Sequence, residues 1–350
     1  MRVHQFTGAA GPYDAVTEQI TAYASLLEEW GIAGGSYATV VAPGAPRAME
    51  PVERLRPAAD DLLLIHYAGY LPGMGPFLDR PQRKLLVYHN VTPARYFWRV
   101  EPRVALTCQL GRSHLPRWIA ASRTAAAVSA FNAEELRRMG AEDPSVVPIL
   151  LDPGRLAPSG TDGHAGGPGP LVLSIGRLAP HKRPDLVIRA FALYQRHREP
   201  QARLLCVGPP VNPSYRAELD RLVVEVGARE VTLAGGLAQA ELNAALATAR
   251  VFLSLSEHEG FCVPLLEAMH AGLPAVARPS GGMPEVGGDA VLWVSEDDDM
   301  SVVAEAIHLA ATDEDLRGEL RRRAAARVQE FAPTRVAERL RAVIEAAAAL

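Results

Sequence analysis

Short apolar runs alternate with longer, helix-like stretches along the whole chain. Such alternation predicts a parallel β-sheet covered by α-helices. In the first half of the chain the predicted strands are 3–6, 36–41, 62–66, 84–89 and 125–129. In the second half they are 171–175, 203–207, 231–233, 251–255, 275–277 and 291–294. The pattern therefore predicts an α/β fold.

A stretch rich in glycine and proline, residues 153–169, separates the two series of strands. Its composition is typical of a linker, because it offers few side chains for a packed core. We expect a Rossmann-like N-terminal domain over 1–152 and a second one over 170–332, facing each other across a cleft. Residues 333–350 are predicted to form one amphipathic, alanine-rich C-terminal helix.

The composition is that of an ordinary soluble globular chain of 350 residues, 22% charged and 48% hydrophobic, with a formal net charge of −4. That balance argues against nucleic acid as a partner. No apolar run reaches the roughly 20 residues that span a bilayer, and the N-terminal residues are typical of a first strand rather than a signal peptide. The three cysteines are widely spaced, so we expect reduced thiols in the cytoplasm.

The most informative stretch of the chain lies between the predicted strand 251–255 and an apolar helix pattern over 263–271. Pro264 suits the first helical position, and Glu267 is then expected in the first turn. Glu259 and Glu267 flank the turn, and we expect both to face one crevice outside the carboxyl end of the strand. Open α/β sheets bind ligands there.

The free amides of residues 261–264 are expected to face the same crevice. Carboxylates that accept from hydroxyls, beside amides that donate to anionic oxygens, indicate a hydroxyl-rich ligand that carries phosphate. In the alternative interpretation, Ser256 and Glu259 form a capping box and Glu267 only offsets a helix dipole. Gly260 would interrupt a helix that began at Ser256, which favours the binding interpretation.

A second candidate site follows the predicted strand 171–175, which ends at Gly176. Arg177 and Lys182 lie five residues apart on one strand-to-helix loop, so both can reach a single anion. His181 and Arg183 lie beside them. The alternative interpretation is a solvated basic turn.

The N-terminal half offers polar groups at strand ends. His89 ends the predicted strand 84–89, and His66 ends the strand before it. A lone histidine at such a position is more often structural than chemical. Residues 7–14 are predicted to form a loop that opens a helix, with Asp14 as its N-cap.

The segment 79–123 carries nine arginines or lysines against two acids, with Phe97, Trp98 and Trp118 interleaved. One interpretation is a solvated helix face. The other is a docking surface for an anionic acceptor or an anionic membrane, which would make the protein peripheral at the inner leaflet.

Taken together, Gly176-Arg-Leu with Lys182, Glu259-Gly-Phe with Glu267 eight residues later, and the Gly-Gly-Met-Pro-Glu run at 281–285 resemble the donor half of retaining glycosyltransferase family 4. This resemblance implies the GT-B fold. It also implies a nucleotide-diphospho-sugar as donor, bound by the C-terminal domain, and an acceptor bound mainly by the N-terminal domain.

The resemblance also implies a role for each matching residue. Arg177 and Lys182 would hold the diphosphate, Glu267 the ribose hydroxyls, and Glu259 the donor sugar. The implied catalytic set is His89, Arg177, Lys182 and Glu259, where His89 would contact donor sugar or acceptor. The implied donor-binding set is Gly8, Gly11, Gly176, Leu237, Gly260, Phe261, Cys262, Val263 and Glu267. Leu237 would touch the base, and Gly8 and Gly11 would belong to a glycine-rich loop.

One departure from the family pattern is Cys262, where glycine is common, and it bears on the identity of the sugar. Fixed cations and helix-end amides can stabilise a departing diphosphate without a metal, so we expect no cofactor and no metal site. The acidic run 297–299 is more typical of a helix start or surface turn. No G-x-G-x-x-G and no Walker A motif occurs.

The expected activity is transfer of a hexose-type sugar, with retention, to an acceptor hydroxyl in glycan, glycolipid or natural-product biosynthesis. The acceptor itself, whether glycan, lipid-linked or small molecule, is not indicated. Two alternatives stay open: a phosphorylase-like or sugar-nucleotide-processing enzyme of the same fold, and a catalytically silent module that binds nucleotide-sugars.

Overall fold

The computed structural model describes residues 1–12, 14–46, 48–156 and 167–349. The chain forms two compact units, Met1–Leu151 together with Phe331–Leu350, and Asp152–Glu330. Most of the predicted linker lies outside the described residues.

Each unit contains one parallel β-sheet. The strands of the first unit are β1 (Val3–Ala10), β2 (Ala33–Val41), β3 (Met49–Pro51), β4 (Leu62–Tyr67), β5 (Arg83–Tyr88), β6 (Thr124–Ala127) and β7 (Ser145–Val146), in the order β3-β2-β1-β4-β5-β6-β7. Those of the second are β8 (Leu171–Ile175), β9 (Arg203–Val207), β10 (Val231–Gly235), β11 (Val251–Ser254), β12 (Ala275–Ala277) and β13 (Val291–Trp293), in the order β10-β9-β8-β11-β12-β13. The predicted pair of Rossmann-like parallel sheets is confirmed.

The helices that connect and cover the strands are α1 (Ala15–Glu29), α2 (Gly75–Leu78), α3 (Pro102–Ala121), α4 (Ala130–Arg138), α5 (Pro184–His197), α6 (Pro213–Glu225), α7 (Gln239–Thr248), α8 (Val263–His270), α9 (Met283–Gly287), α10 (Met300–Thr312), α11 (Glu314–Val328) and α12 (Pro333–Ala349). In the second unit the chain runs outward from β8 to β10 and returns to place β11 beside β8. This reversal of strand order marks the place where such sheets bind ligands, at the carboxyl ends of β8 and β11.

The predicted C-terminal helix is α12, and it belongs to the first unit. Its buried residues recur at helical spacing, as expected for an amphipathic helix: Val336, Leu340, Val343, Ile344 and Ala347. This apolar stripe packs against β5 and β6. The sequence pattern predicts the helix but not the sheet that it covers.

The prediction of a loop over residues 7–14 is wrong in its first half. Strand β1 continues to Ala10, because Thr7, Ala9 and Ala10 pair with β2. Gly8 therefore lies inside a strand. The N-cap prediction for Asp14 is confirmed, since its carboxylate accepts from the Thr17 amide at 2.9 Å.

Of the three aromatic side chains singled out in the basic segment 79–123, two lie in the interior. Phe97 and Trp118 are both only 3% exposed, so the docking-surface interpretation is wrong for these two side chains. Trp98 is 50% exposed, and Arg95, Arg99 and Arg103, which lie close to it in the sequence, are exposed as well. In the described part of the chain, no helix combines the length and apolar character that crossing a bilayer requires.

Candidate functional site

The loops after β8, β9 and β10 contact one another at three glycines. All three glycines have positive φ angles. Gly176, Gly208 and Gly235 have φ of +153°, +145° and +74°. The Gly208 amide donates to the Gly235 carbonyl at 2.6 Å, and the Gly176 amide donates to the Val207 carbonyl at 2.8 Å. A Cβ on Gly208 would lie 2.1 Å from the Gly176 carbonyl oxygen. A side chain there would push the Gly176 loop out of place.

Lys182 and Glu259, two of the predicted catalytic residues, form an ion pair. The Lys182 Nζ lies 2.6 Å from each carboxylate oxygen of Glu259. The Glu259 side chain is 7% exposed and that of Lys182 is 24% exposed. The pair joins the loop after β8 to the loop after β11, which meet where the strand order reverses. The two motifs that the sequence singled out thus belong to one site.

The loop after β8 adds further positive charge at this place. Arg177 is exposed to solvent beside Gly176, and the Lys182 chain lies under the same glycine. Burial lowers the pKa of His181 to about 2, and the nearby charges of Lys182 and Arg177 contribute to this shift. His181 is therefore neutral, and the positive charge of this loop comes from the exposed Arg177 and from Lys182, which is paired with Glu259.

Arg183 is paired with two other acids of the second unit. Its guanidinium donates to Asp185 at 3.0 and 2.8 Å and also pairs with Glu257. Hydrogen bonds to Asp185, the largest cause, raise the pKa of Arg183 above its usual range. Arg183 has a left-handed backbone, with φ of +51°, and it precedes the first residue of α5. We assign it to fixing the loop rather than to a ligand.

The glycine pair of the 281–285 motif fixes the backbone of Glu259. The Gly282 amide donates to the Glu259 carbonyl at 2.9 Å. Gly281 has φ of +56°, and a Cβ there would lie 2.0 Å from the same carbonyl oxygen. A glycine at 281 is therefore required by both the backbone angle and the close approach. The sequence shows this motif but not its contact with Glu259.

Cys262 occupies a backbone conformation that favours glycine. It precedes α8 with φ of +80° and ψ of +71°, and its side chain is only 6% exposed. A glycine would adopt this conformation without strain, whereas a residue with a Cβ rarely does. Burial raises the pKa of the Cys262 thiol, so the thiol stays protonated.

The predicted helix after Cys262 is confirmed as α8, with small corrections to its start. Val263 is its first residue and Pro264 the second, so Pro264 is one position later than predicted. We expected Glu267 in the first turn of the helix. It is the fifth residue and lies beyond that turn, because the helix begins at Val263. Gly260 and Phe261 precede the helix on the loop, and Phe261 is buried. Leu237, between β10 and α7, is also buried, at 8% exposure.

The remaining predicted site residues lie in the first unit. Gly8 packs against the Tyr70 backbone, where an added Cβ would lie 3.0 Å from the carbonyl oxygen. The Gly11 amide donates to the Thr17 hydroxyl at 3.1 Å. His89 directly follows β5, and its Nε2 lies 2.9 Å from Nδ1 of His66. His66 is fully buried, and its Nε2 lies 2.9 Å from the Oε1 of Gln5.

The acidic run at 297–299 has the structural role that the sequence favoured. Asp299 caps α10 by accepting from the Ser301 amide at 2.8 Å, and Asp298 accepts from the Ser295 amide at 2.6 Å. Within the described ranges, no group of three or more histidine, cysteine, aspartate or glutamate side chains is arranged to hold a metal ion.

Comparison with known protein families finds a match in the second unit. Residues 164–327, slightly less than half of the 350-residue chain, match the model of glycosyl transferases group 1. The matched range contains Arg177, Lys182, Glu259 and Glu267. The match supports a group 1 glycosyltransferase.

Individual relatives match over similar portions. The O-antigen chain mannosyltransferase B of Escherichia coli is 30% identical over 165 residues, which are 46% of this chain and 42% of that protein. A GDP-mannose-dependent α-(1-6)-phosphatidylinositol monomannoside mannosyltransferase of Mycobacterium tuberculosis is 35% identical over 124 residues, covering 33% and 31%. The sulfoquinovosyl transferase SQD2 of Arabidopsis thaliana is 32% identical over 117 residues, covering 33% and 21%. The chain thus spans less than half the length of these relatives.

Solved structures resemble the whole chain. Sucrose-phosphate synthase from Thermosynechococcus elongatus superposes with a TM-score of 0.75 at 19% identity, over 99% of this chain and 98% of that one. Anabaena HepE in complex with UDP and glucose gives 0.71 at 16% identity, over 99% and 100%. At these identities the likeness establishes the fold, which is GT-B as expected from the sequence.

Proposed function

We propose that this protein transfers a hexose-type sugar, with retention of configuration, from a nucleotide-diphospho-sugar to an acceptor hydroxyl. The observation that carries the proposal is the bridge between Lys182 and Glu259, with Arg177 beside it. It places cations and a buried carboxylate together at the carboxyl ends of β8 and β11.

Each side of this pair suits one part of such a donor. Lys182 and Arg177 provide charge-assisted contacts for the diphosphate and stabilise the negative charge that develops as the nucleotide leaves. The Glu259 carboxylate accepts hydrogen bonds from sugar hydroxyls. In the free protein the two side chains satisfy each other, so the buried carboxylate does not stay unpaired.

The first residues of α8 complete the proposed donor site. The amides near Val263 lie at a helix N-terminus, where anionic oxygens are favoured. Glu267 is assigned to the ribose hydroxyls and Leu237 to the base, following the motif resemblance. Because two cations and helix-end amides supply the positive charge, we propose that the reaction needs no metal.

The activities for which the relatives are named support this choice of substrate. They include mannosyltransferases, one of them GDP-mannose-dependent, and HepE has been solved with UDP-glucose. GDP-mannose and UDP-glucose are both nucleotide-diphospho-hexoses. We propose an acceptor hydroxyl on a glycan, a lipid-linked sugar or a small molecule, and a cytoplasmic site of action.

A donor panel tests the proposal. Thermal shifts with UDP, GDP, ADP and dTDP identify the base, since a ligand at 100 times its dissociation constant adds about 2.7 kcal/mol of stability. UDP-glucose and GDP-mannose labelled in the sugar then report hydrolysis or transfer, and the anomeric configuration of the product reports retention. An inverted product contradicts retention. Binding without turnover across a broad acceptor panel indicates a silent binding module, and turnover that requires inorganic phosphate indicates a phosphorylase-like enzyme.

A further inference from the structure

Three polar side chains form a row across adjacent strands of the first unit. In the sheet, β1, β4 and β5 are neighbours, and His66 on β4 is in register with Thr7 on β1 and Val87 on β5. Because side chains alternate between faces, Gln5 and His89, each two residues from a register partner of His66, lie on the same face as His66. The observed contacts follow this diagonal from Gln5 through His66 to His89.

The contact between Gln5 and the Ile20 carbonyl determines which atom donates in each hydrogen bond of the row. The Gln5 Nε2 donates to the Ile20 carbonyl at 3.1 Å, so Gln5 presents its Oε1 to His66. An amide oxygen only accepts, and His66 Nε2 at 2.9 Å must therefore carry a proton. A neutral His66 then has a bare Nδ1, which accepts from the Nε2 proton of His89 at 2.9 Å.

Both imidazoles stay neutral because burial, complete for His66 and partial for His89, disfavours the charged form. Burial lowers the pKa of His89 to about 3 and that of His66 well below its usual value, and the second shift is increased by His89 itself. With its proton on Nε2, His89 has a lone pair on Nδ1. Among the described residues, no donor hydrogen-bonds to that atom, and the His89 side chain is only partly buried.

We propose that Gln5 and His66 are positioning residues that hold His89 in one tautomer, with Nδ1 as a hydrogen-bond acceptor. His89 then recognises a ligand group that donates, such as a sugar hydroxyl, and it neither protonates the leaving group nor pairs with a phosphate as an imidazolium. This inference rests on the proposed function only for the identity of the hydroxyl, which belongs to the donor sugar or to the acceptor.

The nitrogen NMR spectrum of the wild-type protein, labelled with ¹⁵N in its histidine rings, tests the tautomer without any variant. We expect His66 and His89 each to show a protonated Nε2 and an unprotonated Nδ1, unchanged from pH 8 to pH 5. A proton on His89 Nδ1, an average of both tautomers, or an imidazolium at pH 6 overturns the proposal.

Ligand titrations in the same experiment identify the source of the hydroxyl. UDP-glucose or GDP-mannose, whichever the protein binds, shifts the His89 Nδ1 signal if the donor sugar supplies it, and the free nucleotide does not. A shift that needs the acceptor places the hydroxyl there. If neither ligand moves the Nδ1 signal, the recognition role of His89 is wrong.

Gln5→Leu tests the positioning role, with Gln19→Leu as its matched control. Both glutamines are 1% exposed in the first unit, but Gln19 accepts from the Leu150 amide and is not part of the row. Gln5→Leu should populate both tautomers of His89 and lower kcat/KM by about two- to thirteen-fold, the effect of one neutral hydrogen bond. Gln19→Leu should leave the tautomer and kcat/KM unchanged. Equal effects of both changes would make Gln5 merely structural.

The experiments test the tautomer of His89 and the proposed sugar transfer separately. The expected NMR signature in a protein without transferase activity leaves the row in place and removes the reaction. Sugar transfer by a protein whose His89 carries its proton on Nδ1 supports the proposed reaction and overturns the tautomer.

Discussion

Lys182 and Glu259 neutralise each other across two loops, with the lysine Nζ 2.6 Å from both carboxylate oxygens. Removing one partner of a buried pair costs about 3–5 kcal/mol, because the other charge stays behind in the interior. Lys182 is 24% exposed, so Lys182→Met is expected near the lower end of that range. The double change Lys182→Met with Glu259→Gln should recover part of the loss, as measured by urea unfolding. No recovery would contradict the energetic coupling of the pair.

The same loop supplies a prediction about turnover. Arg177→Ala and Lys182→Ala should each lower kcat/KM by about 10- to 150-fold, since a hydrogen bond to a charged group contributes about 1.5–3 kcal/mol. Arg221→Ala on α6 is the matched control, an exposed arginine of the same unit outside the site. Steady-state rates of folded variants measure the effect. Activity within twofold of wild type for Arg177→Ala and Lys182→Ala would remove these two residues from the diphosphate site.

The backbone conformation of Cys262 predicts that a glycine variant is more stable than an alanine variant, the reverse of the usual order in a helix. With φ of +80°, a residue with a Cβ is strained by about 1–2 kcal/mol relative to glycine. Cys262→Gly and Cys262→Ala both remove the thiol, so their difference isolates this strain. The glycine variant should be the more stable by about that amount.

Ala217→Gly on α6 is the control, since at this ordinary helical position alanine should be more stable than glycine. Ala217 is exposed in the helix, and the change to glycine should cost about 1 kcal/mol. Thermal denaturation of all three variants measures both differences. A Cys262→Ala variant as stable as Cys262→Gly would show that the local backbone relaxes when the side chain changes.

The order of strands and helices was predictable because a strand buried in a parallel sheet is apolar along its whole length. That signal is weak in β3 and β7, which are edge strands of three and two residues, and both were missed. The end of β1 was missed for a related reason. Its Gly8 is typical of a loop, and only pairing with β2 holds that segment in the sheet.

The site residues were predictable one motif at a time, but their contacts were not. Lys182 and Glu259 are 77 positions apart, and no local pattern encodes their distance. The role of His66 depends on the strand order, which places it between Gln5 and His89. Arg183 and Arg177 have the same charge in the sequence, and only the positions of Asp185 and Glu257 separate their roles.

Two histidines with lowered pKa values predict acid sensitivity of the first unit. The folded pKa of His89 is about 3 and that of His66 is well below 6.5, whereas an unfolded histidine has a pKa of about 6.5. The unfolded chain therefore binds protons that the folded one does not as the pH falls below 6.5. For His89 this should lower the free energy of unfolding by about 2 kcal/mol between pH 7 and pH 5, and His66 should lower it further in the same direction.

Urea unfolding at the two pH values measures this loss, and His89→Asn is the informative variant. It should reduce the change between pH 7 and pH 5 by about 2 kcal/mol, because one of the neutral histidines is gone. The same pH dependence in His89→Asn and wild type would contradict a depressed pKa at this position.

The proposed metal independence predicts that EDTA leaves sugar transfer unchanged. Arg177, Lys182 and the amides at the start of α8 are assigned to the charge that a divalent ion would otherwise neutralise. Rates with and without the chelator measure this directly. Loss of activity that Mg²⁺ or Mn²⁺ restores would contradict the metal-free mechanism.

The basic segment predicts a salt-dependent surface in the first unit. Arg95, Arg99 and Arg103 are exposed near Trp98, and Leu106 on α3 is 52% exposed. An arginine near an anionic membrane contributes about 1 kcal/mol, within a Debye length of about 8 Å at physiological ionic strength. Replacing the three arginines by glutamine should therefore abolish co-sedimentation with phosphatidylserine vesicles at low salt, if this surface docks on a membrane.

The control for this variant replaces Arg54, Arg137 and Arg138 by glutamine. These residues are exposed in the same unit and paired with nearby glutamates, so the net charge changes equally at another place. The control should still bind vesicles. If wild type does not pellet but the test variant has a raised KM for the acceptor, the surface binds a soluble anionic acceptor instead. If neither property changes, the segment is the solvated helix face of the alternative interpretation, and Trp98 and Leu106 are scattered surface residues of the ordinary kind.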